Sequence, residues 1–518
     1  MNNNRITDIK QVSSLSPGRG VGVRLMKKNR LSLFVIMISL FVSLSAIAQQ
    51  PKFQPTWQSL EKYQIPDWFR DAKFGIFIHW GVYSVPAFES EWYPRNMYLK
   101  DSKEYEHHIK MYGPQNKFGY KDFIPMFKAE KFGAEKWIDL FKKSGAKYIV
   151  PVAEHHDGFA MYNTALSKWN AAQMGPKRDV IDELEKASRK AGLMFGVSSH
   201  RIEHWWFFGG GRNFDSDVND SAYADFYGPA VNTDGTNDDE KRSPISPEFM
   251  NDWLLRDVEL VGKYHPDLVW FDWWIAQKEM EPYRKSFASF YYNKAIEWNK
   301  GVVINYKHDA YPDSAAVLDL ERGKLAGIRP LAWQTDDAIG NKSWGFTNDN
   351  TFKTAQYVIT NLIDIVSKNG NLLLNIGPRP DGTITEEETN VLLGTGKWLD
   401  VNGEAIYGTR PWKIYGEGPT ESASGEFKEQ KPYTSKDIRF TTKSDTLFAI
   451  TLALPATKES INISLLSIKN NNGIIANVQL IGSNTKLNWS QKKDVLVIKA
   501  PADYPSENAA AFRITFKK

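Results

Sequence analysis

Short apolar runs alternate with amphipathic helical stretches along most of this chain, from Trp57 to Trp412. A typical unit joins the apolar run 148–152 to the stretch 179–190, whose apolar residues recur with helical spacing before Gly192. Repetition of this order predicts a parallel sheet closed into a (β/α)8 TIM-like barrel, with a doubly wound open sheet as the alternative. The predicted strands are 74–78, 148–152, 194–197, 268–271, 302–305 and 372–376, with a short apolar run at 331–333.

The helical period disappears after Trp412. From there on, apolar and polar residues alternate with period two between turn residues, which predicts a small antiparallel β-sandwich. The segment 209–239 is rich in Gly, Asn and Asp and is predicted to be an exposed loop. The expected domains are an N-terminal extension with a signal peptide (1–48), a catalytic barrel (49–411) and the C-terminal β-sandwich (412–518).

The N-terminal segment has the layout of a secretory signal peptide. A basic region at Met26 to Arg30 precedes the apolar stretch 31–44, and Ala46-Ile47-Ala48 fits a small-residue cleavage site. We expect cleavage after Ala48 and export to the periplasm or the extracellular space, without a stable membrane span afterwards. An uncleaved anchor is the alternative, because the apolar stretch approaches the length that crosses a bilayer.

Net charge, cysteine content and aromatic content further limit the functions that the chain can have. The net charge of +4 comes from the basic residues of 1–48, so the remainder is slightly acidic and gives no reason to expect a nucleic-acid partner. The chain has no cysteine, which excludes disulfides and thiolate chemistry. Aromatic residues make up 13% of the chain. They suit surfaces that handle sugars, although large cores also favour them.

Polar side chains repeatedly follow the predicted strands. In a barrel, the carboxyl ends of the strands share one face, which carries the chemistry of such folds. A single strand-end histidine has an ordinary explanation, since it can simply bond a backbone carbonyl. The occurrence of many such polar residues on one face favours a functional site. Its candidates are His79, His155, His156, Ser198, Ser199, His200, Asp272, Asn305 and Lys307, with Glu91 and Trp92 in the first long loop.

Asp272 stands out because it ends an apolar, aromatic run that is typical of a buried strand. A buried carboxylate is costly without a partner. Asp272 therefore either has a structural role, as a helix cap or ion-pair partner, or takes part in chemistry. Glycoside hydrolysis by two carboxylates is one such chemistry. The second carboxylate would be Glu321, whose structural alternative is an ion pair with Arg322.

A metal hydrolase is the competing chemistry, with histidines and one carboxylate as ligands. Two features count against it. The adjacent His155 and His156 are expected to point apart, and no His-x-His pair follows the first strand. The ligands would be His79, His155, His156, His200 and Asp272.

Several stretches resemble the α-L-fucosidases of glycoside hydrolase family 29, in the family's order. They are 68–81 (WFRDAKFGIFIHWG), Glu91-Trp92-Tyr93, 147–159 with its Glu-His-His-Asp-Gly-Phe, Trp270-Phe271-Asp272 and 369–382 (NGNLLLNIGPRPDG). The resemblance implies a retaining mechanism without metal or cofactor, and a fucosylated oligosaccharide or glycoconjugate as the substrate. By position, Asp272 resembles the family's nucleophile and Glu321 its acid/base.

The resemblance also implies residues that hold the sugar. Matching positions are His79, Glu91, Trp92, His155, His156 and Trp270. Three positions depart from the family pattern. Lys307 stands where many members have Arg. Ser198 or Ser199, with His200 nearby, takes the place of a Tyr that is common in the family. Gln334 stands where others have Glu. Ser199, His200 and Lys307 remain candidate sugar contacts. The changes at Lys307 and Ser199 keep an exo-glycosidase for a related sugar open as an alternative. A carbohydrate-binding relative without turnover is the alternative from another class, and the presence of both catalytic carboxylates argues against it.

Overall fold

A computed structural model of the chain describes residues 52–231, 243–421, 423–428, 432–457 and 459–517. The predicted signal peptide with its cleavage site after Ala48 lies outside these residues, as does the 232–239 end of the predicted loop. Residues 52–518 form one compact unit. Within the described ranges, no helix is both long enough and apolar enough to cross a membrane.

Eight parallel strands close into a barrel, in sequence order around the ring. Closure comes from the last strand, which pairs with the first through partners such as Leu374 and Ile76. The predicted closed barrel is therefore confirmed, and the open sheet is not formed. The strands are β1 Phe74–Ile78, β2 Tyr148–Glu154, β3 Met194–Ser199, β4 Leu268–Phe271, β5 Val303–Tyr306, β6 Val317–Glu321, β7 Trp333–Ala338 and β8 Gly370–Ile376.

Helices separate most of these strands in the chain. Every residue of β1, β2 and β8 is buried, because one face of each strand fills the barrel and the other packs beneath helices. The longer helices are Lys103–Tyr112, Ala134–Lys143, Val180–Ala191, Pro247–Tyr264, Glu281–Glu297, Ala355–Ser367 and Glu386–Asn402. Shorter ones are Trp57–Leu60, Asp67–Ala72, Tyr93–Asn96 and Ala224–Tyr227.

The alternation of side chains along each strand decides which residues face the barrel interior. Phe77, Trp270 and Leu373 belong to one buried cluster inside the ring. Two residues farther along β1 and β4, the same alternation places His79 and Asp272 above that cluster. The site is therefore built on the uppermost layer of the barrel core.

The apolar pattern misses β6 and predicts only the start of β7. Four of the six residues of strand β7 are polar, yet the strand is buried throughout, which an apolar pattern cannot indicate. Its polar side chains are paired across the interior. Gln334 accepts a hydrogen bond from the Tyr148 hydroxyl at 2.7 Å and donates one to Asp319 of β6 at 2.5 Å. Buried polar groups are tolerated when they are paired in this way.

The prediction of an exposed loop at 209–239 is wrong for part of its described residues, 209–231. Val218, Phe226 and Tyr227 are buried among aromatic side chains. Asp217 anchors the segment, because its carboxylate accepts hydrogen bonds from the hydroxyls of Tyr227 and, at 2.8 Å, Tyr98. The segment is thus partly exposed and partly packed: short 3-10 turns run through it, most of its Asn and Asp side chains are exposed, and the apolar residues named above are buried.

The C-terminal part forms two antiparallel sheets around their own apolar core, which confirms the predicted β-sandwich. The first of these strands begins at Arg410, just before the expected boundary at 412. The five-stranded sheet has the order β13-β16-β11-β10-β9, and the three-stranded sheet the order β12-β15-β14. These strands are β9 Arg410–Glu417, β10 Ile438–Lys443, β11 Thr446–Thr451, β12 Ser460–Ile463, β13 Ile475–Leu480, β14 Trp489–Gln491, β15 Leu496–Lys499 and β16 Ala510–Phe516.

A buried charge cluster joins the sandwich to the barrel. Asp364, on the barrel helix Ala355–Ser367, lies 2.6 Å from the Arg439 guanidinium of β10 and 2.8 Å from the Lys368 ammonium. All three side chains are almost completely buried. Burial alone would raise the pKa of Asp364, but Lys368 and Arg439 outweigh it and lower the pKa to about 2. Asp364 is therefore ionised and holds two cations from the two domains.

We expect Asp364→Asn to destabilise the protein by about 3–5 kcal/mol, because it leaves two buried cations without their carboxylate. Urea denaturation followed by circular dichroism measures the change. The matched control is Asp139→Asn, which removes an ion pair with Lys143 that is more than half exposed and should cost only about 0–1 kcal/mol. If both substitutions lowered the free energy of unfolding equally, the buried charge cluster would not contribute the stability proposed for it.

Candidate active site

A cavity of about 370 Å³ opens at the carboxyl ends of the barrel strands. Nearly all the residues predicted from the sequence line it, although they come from seven separate parts of the chain. The lining consists of His79, Glu91, Trp92, His155, His156, His200, Trp270, Asp272, Trp273, Lys307, Glu321, Asp336 and Trp344.

Asp272 lies at the centre of a set of charged and polar groups. Its Oδ2 is 3.0 Å from His200 Nδ1 and 3.7 Å from His156 Nε2. Its Oδ1 accepts the Trp273 N–H at 2.8 Å and is 4.0 Å from Lys307 Nζ. Burial would raise the pKa of Asp272, but the hydrogen bond from His200 and the charge of Lys307 hold it well below its usual range. Asp272 is therefore a carboxylate at neutral pH.

Three of the histidines are held in the neutral state. Burial, with the neighbouring imidazoles, lowers the pKa of His79 and His155 well below the ordinary histidine value. Burial also lowers the pKa of His200, to about 4, although Asp272 opposes it. Asn375 of β8 orients one of these rings, since its Oδ1 lies 2.7 Å from His79 Nδ1. A neutral imidazole can both donate and accept a hydrogen bond, which suits the recognition of hydroxyl groups.

His156 differs from its neighbours. Burial lowers its pKa, but the Glu203 carboxylate, whose Oε2 is 3.4 Å from His156 Nδ1, raises the pKa above its ordinary value. Glu203 belongs to the short 3-10 turn Arg201–Trp205 and is fully buried. The cavity therefore contains one imidazole that is favoured as a cation beside three that are neutral.

Lys307 brings the carboxylates of three strands together. Its Nζ is 2.5 Å from Glu321 Oε2, 3.3 Å from Asp336 Oδ2 and 4.0 Å from Asp272 Oδ1. Burial would lower the pKa of Lys307, but Asp336 and Glu321 outweigh it and raise the pKa well above its ordinary value. Lys307 is a permanent cation here. It also lies 5.1 Å from the centre of the Trp270 ring, which it faces.

Asp336 is the third carboxyl group near Lys307, and sequence reasoning missed it. Burial, with the nearby Asp319, raises the pKa of Asp336 well above its usual range, although Lys307 opposes this. It lies on β7, directly opposite Glu321 of β6 in the strand register. Residues two positions apart in a strand lie on the same face, so Asp336 lies on the same inward face as Gln334. This relation would have identified Asp336 if β7 had been recognised as a strand.

Indole rings form much of the wall. Trp270 lies 4.9 Å from Phe77 and 5.0 Å from His200 between ring centres. Trp344, which sequence reasoning also missed, lies 5.3 Å from His79. Glu91 holds the Trp344 backbone in place, because Glu91 Oε2 accepts the backbone N–H of Trp344 at 2.9 Å.

Three of the strand-end candidates, Ser198, Ser199 and Asn305, do not line the cavity. Side-chain alternation along β3 explains the positions of the two serines. Ser198 faces inward and its Oγ lies 3.1 Å from His200 Nε2. Ser199 faces outward, where its side chain interacts with Asp257 of the helix Pro247–Tyr264. His200, rather than Ser199, is the residue of this strand end that reaches the cavity.

The ligand geometry alone does not separate a sugar pocket from a metal centre. Ligand atoms of His79, His155 and His200 lie within 4.8 Å of one another, as do those of His156, His200 and Asp272. His155 and His156 both line the cavity, with ring centres 4.2 Å apart. The expectation that these two side chains point apart is therefore wrong, and the choice depends on other evidence.

Comparison with known proteins provides that evidence. The sequence pattern of the α-L-fucosidase family matches residues 40–404, and that of the α-L-fucosidase C-terminal domain matches residues 430–517. The chain belongs to the α-L-fucosidase family. It is thus a glycoside hydrolase of family 29 with α-L-fucosidase activity, and the resemblance found in the sequence is confirmed.

The relatives match most of the chain. The chain is 30% identical to rat tissue α-L-fucosidase over 93% of its own length and 97% of the relative's. It is 32% identical to human plasma α-L-fucosidase over 87% of its length and 89% of the relative's. The crystal structure of Thermotoga maritima α-fucosidase covers 90% of this chain and 100% of its own, with 31% identity and a TM-score of 0.71. A structure of that protein in complex with fucose gives a TM-score of 0.70 at 30% identity, over 89% of this chain and all of its own.

We expect Glu91→Gln to lower the free energy of unfolding by about 1.5–3 kcal/mol, because a buried carboxylate that accepts hydrogen bonds is replaced by a neutral amide. Glu91 Oε2 also accepts the Ser343 hydroxyl at 2.8 Å. Hydrogen exchange of 339–346 should accelerate in the same variant. Glu89→Gln is the matched control: Glu89 joins the same two loops through Lys342 but is more exposed. It should cost about 0–1 kcal/mol, and a larger loss than with Glu91→Gln would contradict the assignment.

Acid should destabilise the protein through His200. Its pKa is lowered on folding from the ordinary 6.5 to about 4. The contribution of neutral His200 to the free energy of unfolding is thus complete above pH 6.5 and is lost as the pH falls towards 4. The largest loss is about 3 kcal/mol. The free energy of unfolding is measured in urea at pH 7.5 and at pH 4.5. It should fall less between these two pH values for His200→Gln than for the wild type. The exposed His308 provides a control, and a difference reduced equally by His308→Gln would exclude this explanation.

Proposed function

We propose that the protein is an exo-acting, retaining α-L-fucosidase, which releases terminal fucose from glycans or glycoconjugates by double displacement. Asp272 is the nucleophile and Glu321 the acid/base. The observation that carries this assignment is the position of both carboxylates around Lys307 in one cavity.

The spacing of the two carboxylates is compatible with retention. Lys307 Nζ is 2.5 Å from one Glu321 oxygen and 4.0 Å from one Asp272 oxygen. These two oxygens are therefore at most about 6.5 Å apart, which is the lower end of the range found in inverting enzymes. An inverting enzyme needs room for a water molecule between its base and the sugar, whereas direct attack needs a shorter span of roughly 5–5.5 Å.

In the first step, a carboxylate oxygen of Asp272 attacks the anomeric carbon of fucose. The bond from that carbon to the leaving oxygen breaks, and Glu321 gives its proton to this oxygen. His200 and Lys307 keep Asp272 ionised for the attack. The leaving group departs on the side of Glu321, and fucose remains bound to Asp272 as an ester.

In the second step, Glu321 removes a proton from water, which attacks the anomeric carbon. The bond to Asp272 breaks, so the carboxylate is regenerated and Glu321 recovers its proton. Two inversions leave the product in the α configuration. Lys307 contacts both carboxylates, so its charge balances the negative charge that moves from Asp272 to Glu321 between the steps.

The neutral histidines are suited to hold the hydroxyls of fucose. His155 Nδ1 is buried and has no hydrogen-bond partner among the described residues, which leaves it available to a ligand. His79 uses Nδ1 towards Asn375, so its Nε2 is the atom that can face a sugar. Trp270 and Trp344 offer apolar surface for the 6-deoxy methyl group. The residues 1–48 support export of this enzyme to fucosylated material outside the cytoplasm.

Azide products test the two roles. Asp272→Gly opens space on the nucleophile's face, so azide should attack there and yield β-fucosyl azide. Glu321→Ala leaves the ester intermediate intact, so azide should attack from the leaving-group face and yield α-fucosyl azide. Without azide, Glu321→Ala should slow glycoside hydrolysis roughly 10²–10⁴-fold, and Asp272→Gly roughly 10⁴-fold or more. Nuclear magnetic resonance identifies each azide.

Asp336→Ala is the matched control, since Asp336 also lines the cavity and contacts Lys307. It should give no azide product. An α-fucosyl azide from Asp336→Ala instead of Glu321→Ala would move the acid/base role to Asp336. A wild type that releases β-fucose first, or that hydrolyses a related glycoside but no α-L-fucoside, would contradict the proposal.

A further inference from the structure

Glu203 is a buried carboxylate that the proposed reaction does not use. It is fully buried behind the cavity and does not line it. Its Oε1 accepts the Trp274 N–H at 3.2 Å, just beyond Asp272 in the chain. Its Oε2 faces His156 Nδ1 at 3.4 Å. One side chain thus contacts both the turn that carries the nucleophile and an imidazole beside the nucleophile.

These contacts fix the orientation of His156. Nδ1 also lies 3.3 Å from the His200 carbonyl oxygen, so this nitrogen carries a hydrogen that it donates to the carbonyl, with the Glu203 carboxylate beside it at ion-pair distance. The opposite nitrogen, Nε2, then faces Asp272 Oδ2 at 3.7 Å. Trp92 covers the ring, with 5.0 Å between ring centres. His156 has no freedom to present its other edge to the cavity.

We propose that Glu203 is a positioning residue that holds His156 as an imidazolium, so that a charged N–H points at Asp272 and at the bound sugar. The distance of 3.7 Å is too long for a direct hydrogen bond. His156 therefore acts on Asp272 through charge and is free to donate its Nε2 hydrogen to a fucose hydroxyl. This inference rests on Asp272 as the proposed nucleophile.

The charges around His156 support this state. Two carboxylates, Glu203 and Asp272, contact opposite edges of its ring, and both stabilise a positive charge. Glu203 in turn depends on His156, because burial raises the pKa of the Glu203 carboxyl and the His156 charge opposes that rise. The other titratable groups in the cavity near this ring are the neutral imidazoles of His79, His155 and His200.

The test is the pH profile of kcat/KM for Glu203→Gln, which keeps the shape of the side chain and an acceptor for the Trp274 N–H. We expect a loss of roughly 10- to 100-fold at neutral pH, the size that is typical for partners that orient histidines in metal sites. The loss should narrow as the pH is lowered, because acid restores the His156 charge. The alkaline limb should begin at a lower pH than in the wild type.

Glu388→Gln is the matched control. Glu388 is also a buried glutamate that accepts a backbone N–H beyond a strand end, from Gly377 at 2.8 Å. This variant should keep the wild-type profile. A Glu203→Gln profile that has the wild-type shape at every pH, merely scaled down, would mean that Glu203 only supports the fold and would overturn the proposal.

Histidine nitrogen resonances provide a readout that does not need turnover. His156, assigned by its loss in His156→Gln, should be protonated at pH 6.5 in the wild type and neutral in Glu203→Gln. A neutral wild-type His156 would also overturn the proposal. If Asp272 is not the nucleophile, the azide products will show it, and the His156 titration will be unchanged. The two proposals can therefore be contradicted independently.

Discussion

The pairing of β8 with β1 is the constraint on which the site depends. It closes the ring and brings together residues that are far apart in the chain, such as His79 and Asn375, which are separated by 296 positions yet lie 2.7 Å apart. Without closure, the strand ends would spread along an open edge. Closure also gives the cavity a floor, because Phe77 and Trp270 fill the interior directly beneath it.

Within that frame, electrostatics decides what each polar residue does. Lys307 is a buried cation among three carboxyl groups of neighbouring strands. Its family counterpart is often an arginine, whose planar fork binds a carboxylate through two parallel bonds. A lysine ammonium is a compact charge, which can contact Asp272, Glu321 and Asp336 at once. In this chain the Lys307 ammonium lies within 4.0 Å of an oxygen of each of the three.

The C-terminal sandwich is attached through charge as well as through apolar packing. Asp364 and Arg439 form a buried ion pair between a barrel helix and the sandwich. A further link is the Trp398 indole N–H, which donates to the Ala509 carbonyl at 2.9 Å. These contacts explain why residues 52–518 form one compact unit rather than two.

The sequence by itself determined the barrel, the sandwich and most of the residues around the cavity. Apolar strands such as Phe74–Ile78 carry a strong pattern, and the residue that follows such a strand falls on a known face of the fold. Strand β7 could not be recognised in this way, because its buried residues are polar and their partners lie on other strands. Asp336 was missed for that reason, and Ser199 was chosen where Ser198 faces inward.

Only the tertiary structure decided how the polar groups act on one another. Nothing in the order of residues indicates that Glu203 contacts His156, or that His156 is favoured as a cation while the adjacent His155 is neutral. Protonation depends on burial and on the distance to other charges, and both are set by strands that meet only when the barrel closes. Sequence thus specified which chemical groups are present at the strand ends. Folding set their distances and their charge states.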